Sequence, residues 1–495
     1  MYAPIASVDS GAKPKLLRQK AHNGRKSCGY CLHPNLPVPG YPTNMLRFLE
    51  RDEKGNLLCF DERSHESIRD MLEADQLVRE KKLKSPNDHV NGLYGIGCVA
   101  GIPIFDVVRS FAVDYLHTGL LGILSTEIGL LFDTRELRTE SHDPSSQIPA
   151  IERRLSSIKP PNTMAARSRA FADREKWKGK ELRLFALIYA LPCLEGLPKI
   201  SQKHFQHLQK FVISLQILLG SKITEEQLLY VEQLLKEYVD EFQELYGPIH
   251  MTLNVQLMKH VVKAVRDLGP LGPVSNFSFE SGNGRLASLV QGAKGVVSQI
   301  CRKYLGMLTV CDFIDEHTVS NDVFNFCNSI MNYPYLKNTV KIDDEIRSLG
   351  FESVFEPNDE ERRAMFSSGF LDLLENLTGL VCYNRVMYKG TVYYCKAYTK
   401  PEVFDDTCVK LIDSSYALVE KFIRPQGNLS MYGIVRIIRV SQVDEKLAAL
   451  ITTGAYHFLG DLKVIDIKEI LCKCACMQLD NGNFVCELPN DFERD

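Results

Sequence analysis

The sequence predicts a mixed α/β architecture: an α/β core, an all-α insertion that interrupts it, and a β-rich C-terminal domain. Three patterns point there. Near the start, the apolar run Ile5-Ala6-Ser7-Val8 ends in Asp9 and is broken by Ser10 and Gly11, the build of a short strand. Between Leu182 and Leu268 apolar residues recur at helical spacing in several consecutive segments. From about residue 380 the pattern changes to alternating Val-, Tyr- and Ile-rich runs such as Thr391-Val-Tyr-Tyr-Cys395. The expected boundaries are 1–150 for the first part of the core, 151–268 for a basic loop and the insertion, 269–375 for the end of the core, and 376–495 for the β-rich domain.

Length and composition agree with several packed units. At ~150 residues per domain, 495 residues make about three domains. Hydrophobic residues form 45% and charged residues 24%, too apolar for a mostly disordered chain. With 59 Lys+Arg against 62 Asp+Glu, a uniformly basic nucleic-acid coat is excluded, but a basic groove is not. The 15 cysteines are scattered and odd in number, which argues against a secreted disulfide framework and for a reducing setting. The start, Met1-Tyr2-Ala3-Pro4-Ile5, lacks the basic-then-apolar build of a signal peptide. Charges interrupt the apolar stretch Val99 to Leu131, so no membrane span is expected.

Asp9 has two readings. An acid at a strand's carboxyl end is the usual place for a metal-binding carboxylate in an α/β sheet, and it is equally placed to cap the next helix. Lys13, Lys15, Arg18, Lys20, Arg25 and Lys26 follow with no acid among them, either a phosphate-binding block or a solvated face. Cys28-Gly-Tyr-Cys31-Leu-His33-Pro34 is a knuckle whose two thiolates can grip Zn²⁺; His33, His22 and Cys59 are candidates to complete the shell. A charged amphipathic helix is expected over Ser64 to Lys84. Asp114 and His117 share a face if helical, as a site or as a helix entry with a satisfied histidine.

Thr134 to Lys180 reads as a long polar loop. From Glu152 to Arg183 there are ten basic residues and four acidic ones, including Arg167 and Arg169, around the single Trp177. Basic residues around an aromatic suit a nucleic-acid strand, although a lone Trp is more often core. Helical faces follow at Leu184, Leu187, Ile188 and Leu191, at Leu208, Phe211, Val212 and Leu215, and at Leu228, Leu229, Val231, Leu234 and Tyr238. Further helices are expected from Thr252 to Leu268 and around Leu286 to Leu305, the latter starting beside Glu280. Cys472, Cys474 and Cys476 alternate on a strand and point to one face, for metal or for packing.

In order along the chain stand Val8-Asp9-Ser10, Cys28-Gly-Tyr-Cys31, Phe111-Ala-Val-Asp114-Tyr-Leu-His117, Asn254-Val-Gln256-Leu-Met-Lys-His260 and Gly269-Pro-Leu-Gly272 followed by Phe277-Ser-Phe279-Glu280. This succession, from about Ala6 to Gln299, resembles transposases of the CACTA (En/Spm) type and the transposase-domain proteins derived from them. The resemblance implies a ribonuclease H-like core that cuts and joins DNA with three carboxylates and two divalent ions, Mg²⁺ or Mn²⁺. Asp9 then matches the second carboxylate, Glu280 the third, and Asp114 with His117 the family's Asp-x-x-His element. The helical insertion falls roughly between Trp177 and Leu268.

The family's first carboxylate lies upstream of the Asp-Ser motif, so the core is expected to be incomplete at the N-terminus and DNA strand transfer partial or absent. The sequence departs from the pattern at Gln256, where His is common, at Gly272, where Trp is usual, and at Gly11-Ala-Lys13-Pro14, where Ala-Arg-Ala is usual. The same resemblance implies double-stranded DNA as partner, self-association and nuclear residence. A domesticated, non-catalytic nucleic-acid- or protein-binding module is the alternative.

Overall fold

The computed structural model describes residues 5–42, 45–52, 54–82, 89–135, 138–139, 142–164, 169–316, 320, 322–323, 326, 338–370, 379–398, 404–438, 451–453 and 460–490. Helices and antiparallel sheets are both present, so the architecture is mixed. Parallel pairing among the described residues is confined to one bridge, Ala6 to Phe111, with Ala6 N–H donating to Ser110 O and Ala112 N–H donating to Ala6 O.

The first hundred residues are held more by side chains than by ladders. A short helix, Ala12–Leu17, a two-residue strand pair (Leu36–Pro37 with Leu46–Arg47) and the helix Ser67–Arg79 surround the buried Cys28, Cys31, Phe48, Met71, Phe105 and Phe111. That cluster runs on without a break into the helical body.

The body is organised around the helix Tyr115–Asp133, long and apolar enough to cross a bilayer but 67% buried in its apolar window. Its first ten residues, Tyr115–Leu124, form a widened π-type turn before α geometry resumes at Ser125–Asp133. Gly122 sits where the helix Leu253–Leu268 crosses it: a Cβ there would lie 2.3 Å from Asn254 Nδ2 and 2.8 Å from the His117 carbonyl oxygen, so a larger residue would force a shift.

Two long helices close the other side. Gln202–Leu219 starts at Ser201, whose hydroxyl accepts from His204 N–H. Glu225–Tyr246 starts at a Thr224/Gln227 capping box and stops at Gly247 in positive φ. Leu228, Val231, Leu235, Tyr238, Val239, Phe242 and Tyr246 are its buried stripe. Leu229, expected on that face, is exposed, one position off the stripe.

Two sequence expectations are corrected here. The stretch read as a loop after Thr134 contains the helix Ile148–Ser157, which buries Ile151 and Arg154. The strands of the two large sheets begin at Thr339–Lys341, well before residue 376.

A four-stranded sheet orders Thr339–Lys341, Ile346–Leu349, Arg385–Tyr388 and Thr391–Tyr394. A nine-stranded sheet orders Ile451–Thr453, Gly482–Glu487, Ile470–Leu479, Cys408–Leu411, Tyr416–Pro425, Tyr432–Ile438 and Leu462–Asp466; Leu380–Tyr383 pairs Tyr416–Pro425 off this path and carries Ser353–Val354. Ala475, Met477, Phe484, Cys486 and Leu488 belong to the same hydrophobic cluster as the helices. Lys473, 1% exposed, donates to Asp406 Oδ1 (2.6 Å) and Asn162 Oδ1 (3.1 Å), a buried tie between the sheet and the chain before the insertion.

Candidate functional site

The polar crossing point lies at the entry of the helix Tyr115–Asp133. Asp114 is extended and caps that helix: Oδ1 accepts from Leu116 N–H (3.3 Å) and Oδ2 from His117 N–H (2.9 Å). Oδ2 also takes His117 Nδ1 at 2.6 Å, and Oδ1 accepts from the Asn276 backbone N–H at 3.0 Å. Every lone pair of this 3% exposed carboxylate is therefore directed at a donor within the chain. With Nδ1 so fixed, His117 turns Nε2 towards Glu280, whose Oε1 is 3.7 Å away.

Asn276 joins three segments. It immediately precedes the helix Phe277–Ser288, which carries Glu280 in its first turn. Its side-chain Oδ1 accepts from Ser7 Oγ at 2.7 Å, and its Nδ2 lies 3.4 Å from His117 Nδ1. Ser7 follows Ala6, which is bridged to Phe111, and leads directly into Asp9. The segments of Asp9, Asp114 and Glu280 thus meet.

Asp9 itself accepts the N–H groups of Gly11 and Ala12 on Oδ1, the helix-start role that was one of its two readings. It shares with Asp114, Lys13, Tyr30 and Thr118 the wall of a crevice of about 30 Å³, room for one water; Glu280 is not part of that wall. The helix of Glu280 buries none of its residues and is attached through Asn276 and through Phe277 against Tyr115 and Arg183.

A second cluster is tighter. Among the described residues, Cys28, Cys31 and His260 are the group of three His, Cys, Asp or Glu side chains whose ligand atoms all lie within 4.8 Å of one another, and all three are buried. Burial alone would raise the Cys28 thiol, but the Cys31 thiol and His260 hold it well below the ordinary thiol range. Cys31 is pushed the other way, first by its bond to Cys28. Gln256 and His260 stand four apart on the helix Leu253–Leu268 and so share a face. Gln256 Nε2 donates to Cys31 Sγ at 3.4 Å, while Gln256 Oε1 and His260 Nε2 are buried without a hydrogen-bond partner.

His33 is not brought to this cluster. Its Nε2 meets Leu49 O and its Nδ1 accepts from Asn35 N–H, both at 3.0 Å, and burial pushes its pKa down. A ring with both nitrogens engaged has none to give a metal. His260 is absent from the ligand set that the sequence suggests because 229 residues separate it from Cys31 and no local spacing connects them.

The basic candidates are largely tied up internally. Lys13 Nζ is buried 3.5 Å from the centroid of the Tyr30 ring, and burial pushes its pKa down to about 7. Lys20 is buried, Arg18 pairs with Asp75, and Lys26 Nζ donates to Asn91 Oδ1. Lys15 and Arg25 are exposed. Arg169 pairs with Glu181, and Arg167 lies outside the described residues. Within the same segment Arg154 pairs with Asp480 and Arg174 with Asp133.

Trp177 is 5% exposed and packs on Phe171 and Phe185, so it has no face to offer a base; this corrects the expectation of a stacking platform.

No family model matches the chain, and no curated protein matches its sequence.

Proposed function

We propose that this chain is a transposase-derived protein of CACTA (En/Spm) type, related to metal-dependent DNA cleavage and strand transfer, that no longer cuts DNA by itself. The observation that carries this reading is the hydrogen-bonded junction at Asn276, which ties Ser7 to residues 269 positions away and sets Glu280 beside His117. A ribonuclease H-like core accounts for that junction: an acid just after the Ala6–Phe111 bridge, an Asp-x-x-His turn and a late Glu helix are brought together across an all-α insertion.

The residues present do not fit a two-ion centre. Such a centre needs carboxylates converging on ions about 4 Å apart. Asp114 is saturated by chain donors, Asp9 Oδ1 is held by two backbone N–H groups, and Glu280 lies outside their crevice. No cleavage step through Mg²⁺ or Mn²⁺ follows from this arrangement.

Zinc fits the other cluster. Cys28, Cys31 and His260 would hold it, with the unpartnered Oε1 of Gln256, whose Nε2 bonds Cys31, a further oxygen on the same helix face, and the ion would clamp the knuckle to the helix Leu253–Leu268. DNA remains the proposed partner, in the nucleus, with self-association. The alternative, a domesticated binding module, is favoured by the saturation of Asp114, which suits a structural more than a chemical role.

The test has three readouts on the full chain. Elemental analysis should find one zinc per chain, lost in Cys28→Ser and in His260→Ala but kept in His33→Ala. Supercoiled plasmid with Mg²⁺ or Mn²⁺ should remain uncut; nicking that disappears in Glu280→Gln would overturn the loss of catalysis. Gel-shift titrations at two salt concentrations should show affinity that falls as salt rises, and a chain with no DNA affinity at low salt would remove DNA as the partner.

A further inference from the structure

The buried tie between Lys473 and Asp406 holds more chemistry than a tether needs. On the strand Ile470–Leu479, Lys473 stands between Cys472 and Cys474 and pairs with Val409, so its side chain leaves the face opposite the sulfurs, which pack with Cys408. Its Nζ donates to Asp406 Oδ1 at 2.6 Å and to the side-chain Oδ1 of Asn162 at 3.1 Å. Asn162 is pinned from two further sides. Its backbone N–H donates to the same Asp406 Oδ1 at 3.0 Å, and its Nδ2 donates to Tyr394 OH at 2.9 Å. Asp405 N–H also donates to Pro160 O, which fixes the two segments against each other. An amine, a carboxamide and a carboxyl group thus meet, each from a separate stretch of the chain.

Water is kept from this meeting point. Lys473 and Asp406 are both buried, and Nζ lies 5.5 and 5.7 Å from the ring centroids of Tyr393 and Tyr394. Asp406 Oδ2 is buried with no hydrogen-bond partner, so a charged carboxylate would leave one oxygen desolvated and unanswered. Burial accordingly raises the Asp406 acid above the ordinary carboxyl range, against the pull of Lys473. Passing the ammonium proton to Asp406 removes both charges and leaves a neutral amine held against an amide.

We propose that Lys473 and Asn162 form a self-modification site, at which the lysine Nζ displaces ammonia from the asparagine carboxamide and an isopeptide bond joins the two side chains. Nζ first gives a proton to Asp406. Its lone pair then attacks Cγ of Asn162; the N–C bond forms, and the carbonyl pair moves to Oδ1. Asp406 hands its proton to Oδ1 and takes one from the attacking nitrogen. On collapse Asp406 protonates Nδ2 and recovers the Oδ1 proton. The carbonyl returns, the Cγ–Nδ2 bond breaks, and ammonia leaves. No oxidant or co-reactant is consumed, and the fold supplies the alignment that makes an amide reactive. The bond joins residues 311 positions apart and so staples the large sheet to the chain before the helical insertion.

The experiment uses the purified full chain. Its intact mass should be lower than that of its sequence by one ammonia, and a tryptic digest should yield the Asn162 peptide joined to the Lys473 peptide, uncut after Lys473. Asp406→Asn keeps the shape of the site but removes the proton carrier, and the link should form at least about a hundredfold more slowly. Asn162→Asp should still link, releasing water in place of ammonia, so that its product has the mass of the linked unaltered chain. An unaltered chain that keeps its full mass after prolonged incubation at neutral pH and digests into two separate peptides would overturn the proposal. So would ammonia lost without a joined peptide, the mark of a succinimide at Asn162, or a link from Lys473 to Asp406 with loss of water.

Discussion

The helix Tyr115–Asp133 has one acid–histidine pair at its entry and another in its second half, and the two pairs have opposite surroundings. In its far half Glu127, 1% exposed, takes His207 Nδ1 (2.7 Å), Tyr238 OH (2.7 Å) and Tyr246 OH (3.1 Å). His207 completes itself on Tyr238 O and stacks on the Tyr238 ring. At the near end Asp114 holds His117 at 2.6 Å, but the imidazole is 28% exposed and faces a Glu280 that is 58% exposed. The same two functional groups therefore serve stability at one end and present a nitrogen to solvent at the other. What separates them is whether the second ring nitrogen meets a chain atom or an open side chain.

The sharpest way to break this comparison is Glu127→Ala. It strands two tyrosine hydroxyls and an imidazole in the core and should cost about 3–5 kcal/mol in urea unfolding. A loss below about 1 kcal/mol would mean the far end is not sealed. Asn276→Ala should cost about 1–2 kcal/mol, since it deletes the Ser7 bond at a buried position while the backbone bond to Asp114 stays. Hydrogen exchange should then speed up in Phe277–Ser288 and stay unchanged in Glu225–Tyr246.

A smaller effect comes from pH. Burial, and then His142, pushes His204 down to about 4 from 6.5, so between those values the unfolded chain binds a proton that the folded chain does not. This contribution is complete above about 6.5 and is lost as the pH falls towards about 4. The melting temperature should therefore decline less steeply on acidification in His204→Gln than in the unaltered chain. The smallest effect belongs to Glu280→Gln, which should leave stability within about 0.5 kcal/mol because the carboxylate buries nothing.

Local rules carry the reading of the sequence where the physics is local. The Thr224/Gln227 box and Gly247 mark both ends of a 22-residue helix, and the capping role of Asp114 is readable from its place before an apolar run. Where partners are distant the reading fails. Arg154 and Arg174 look like a free basic patch because their acids, Asp480 and Asp133, lie far away in sequence. Trp177 takes its meaning from those charges and is core instead. The helix Ile148–Ser157 is hidden by Pro149 and by its serines and arginines, since only a narrow apolar stripe marks it. The shared face of Cys472, Cys474 and Cys476 follows from strand alternation alone; that Cys408 stands opposite is a fact of register, which no single strand encodes.

The final hairpin, Ile470–Leu479 with Gly482–Glu487, inserts Cys486 against Leu187 O, and Asn490 just beyond it donates to Leu219 O. Translation stopping short of Gly482 would leave the helices with a bare oily wall, the form of a protein that quality-control proteases remove. Cutting the chain before Gly482 should thus be as damaging as cutting it inside the helical body.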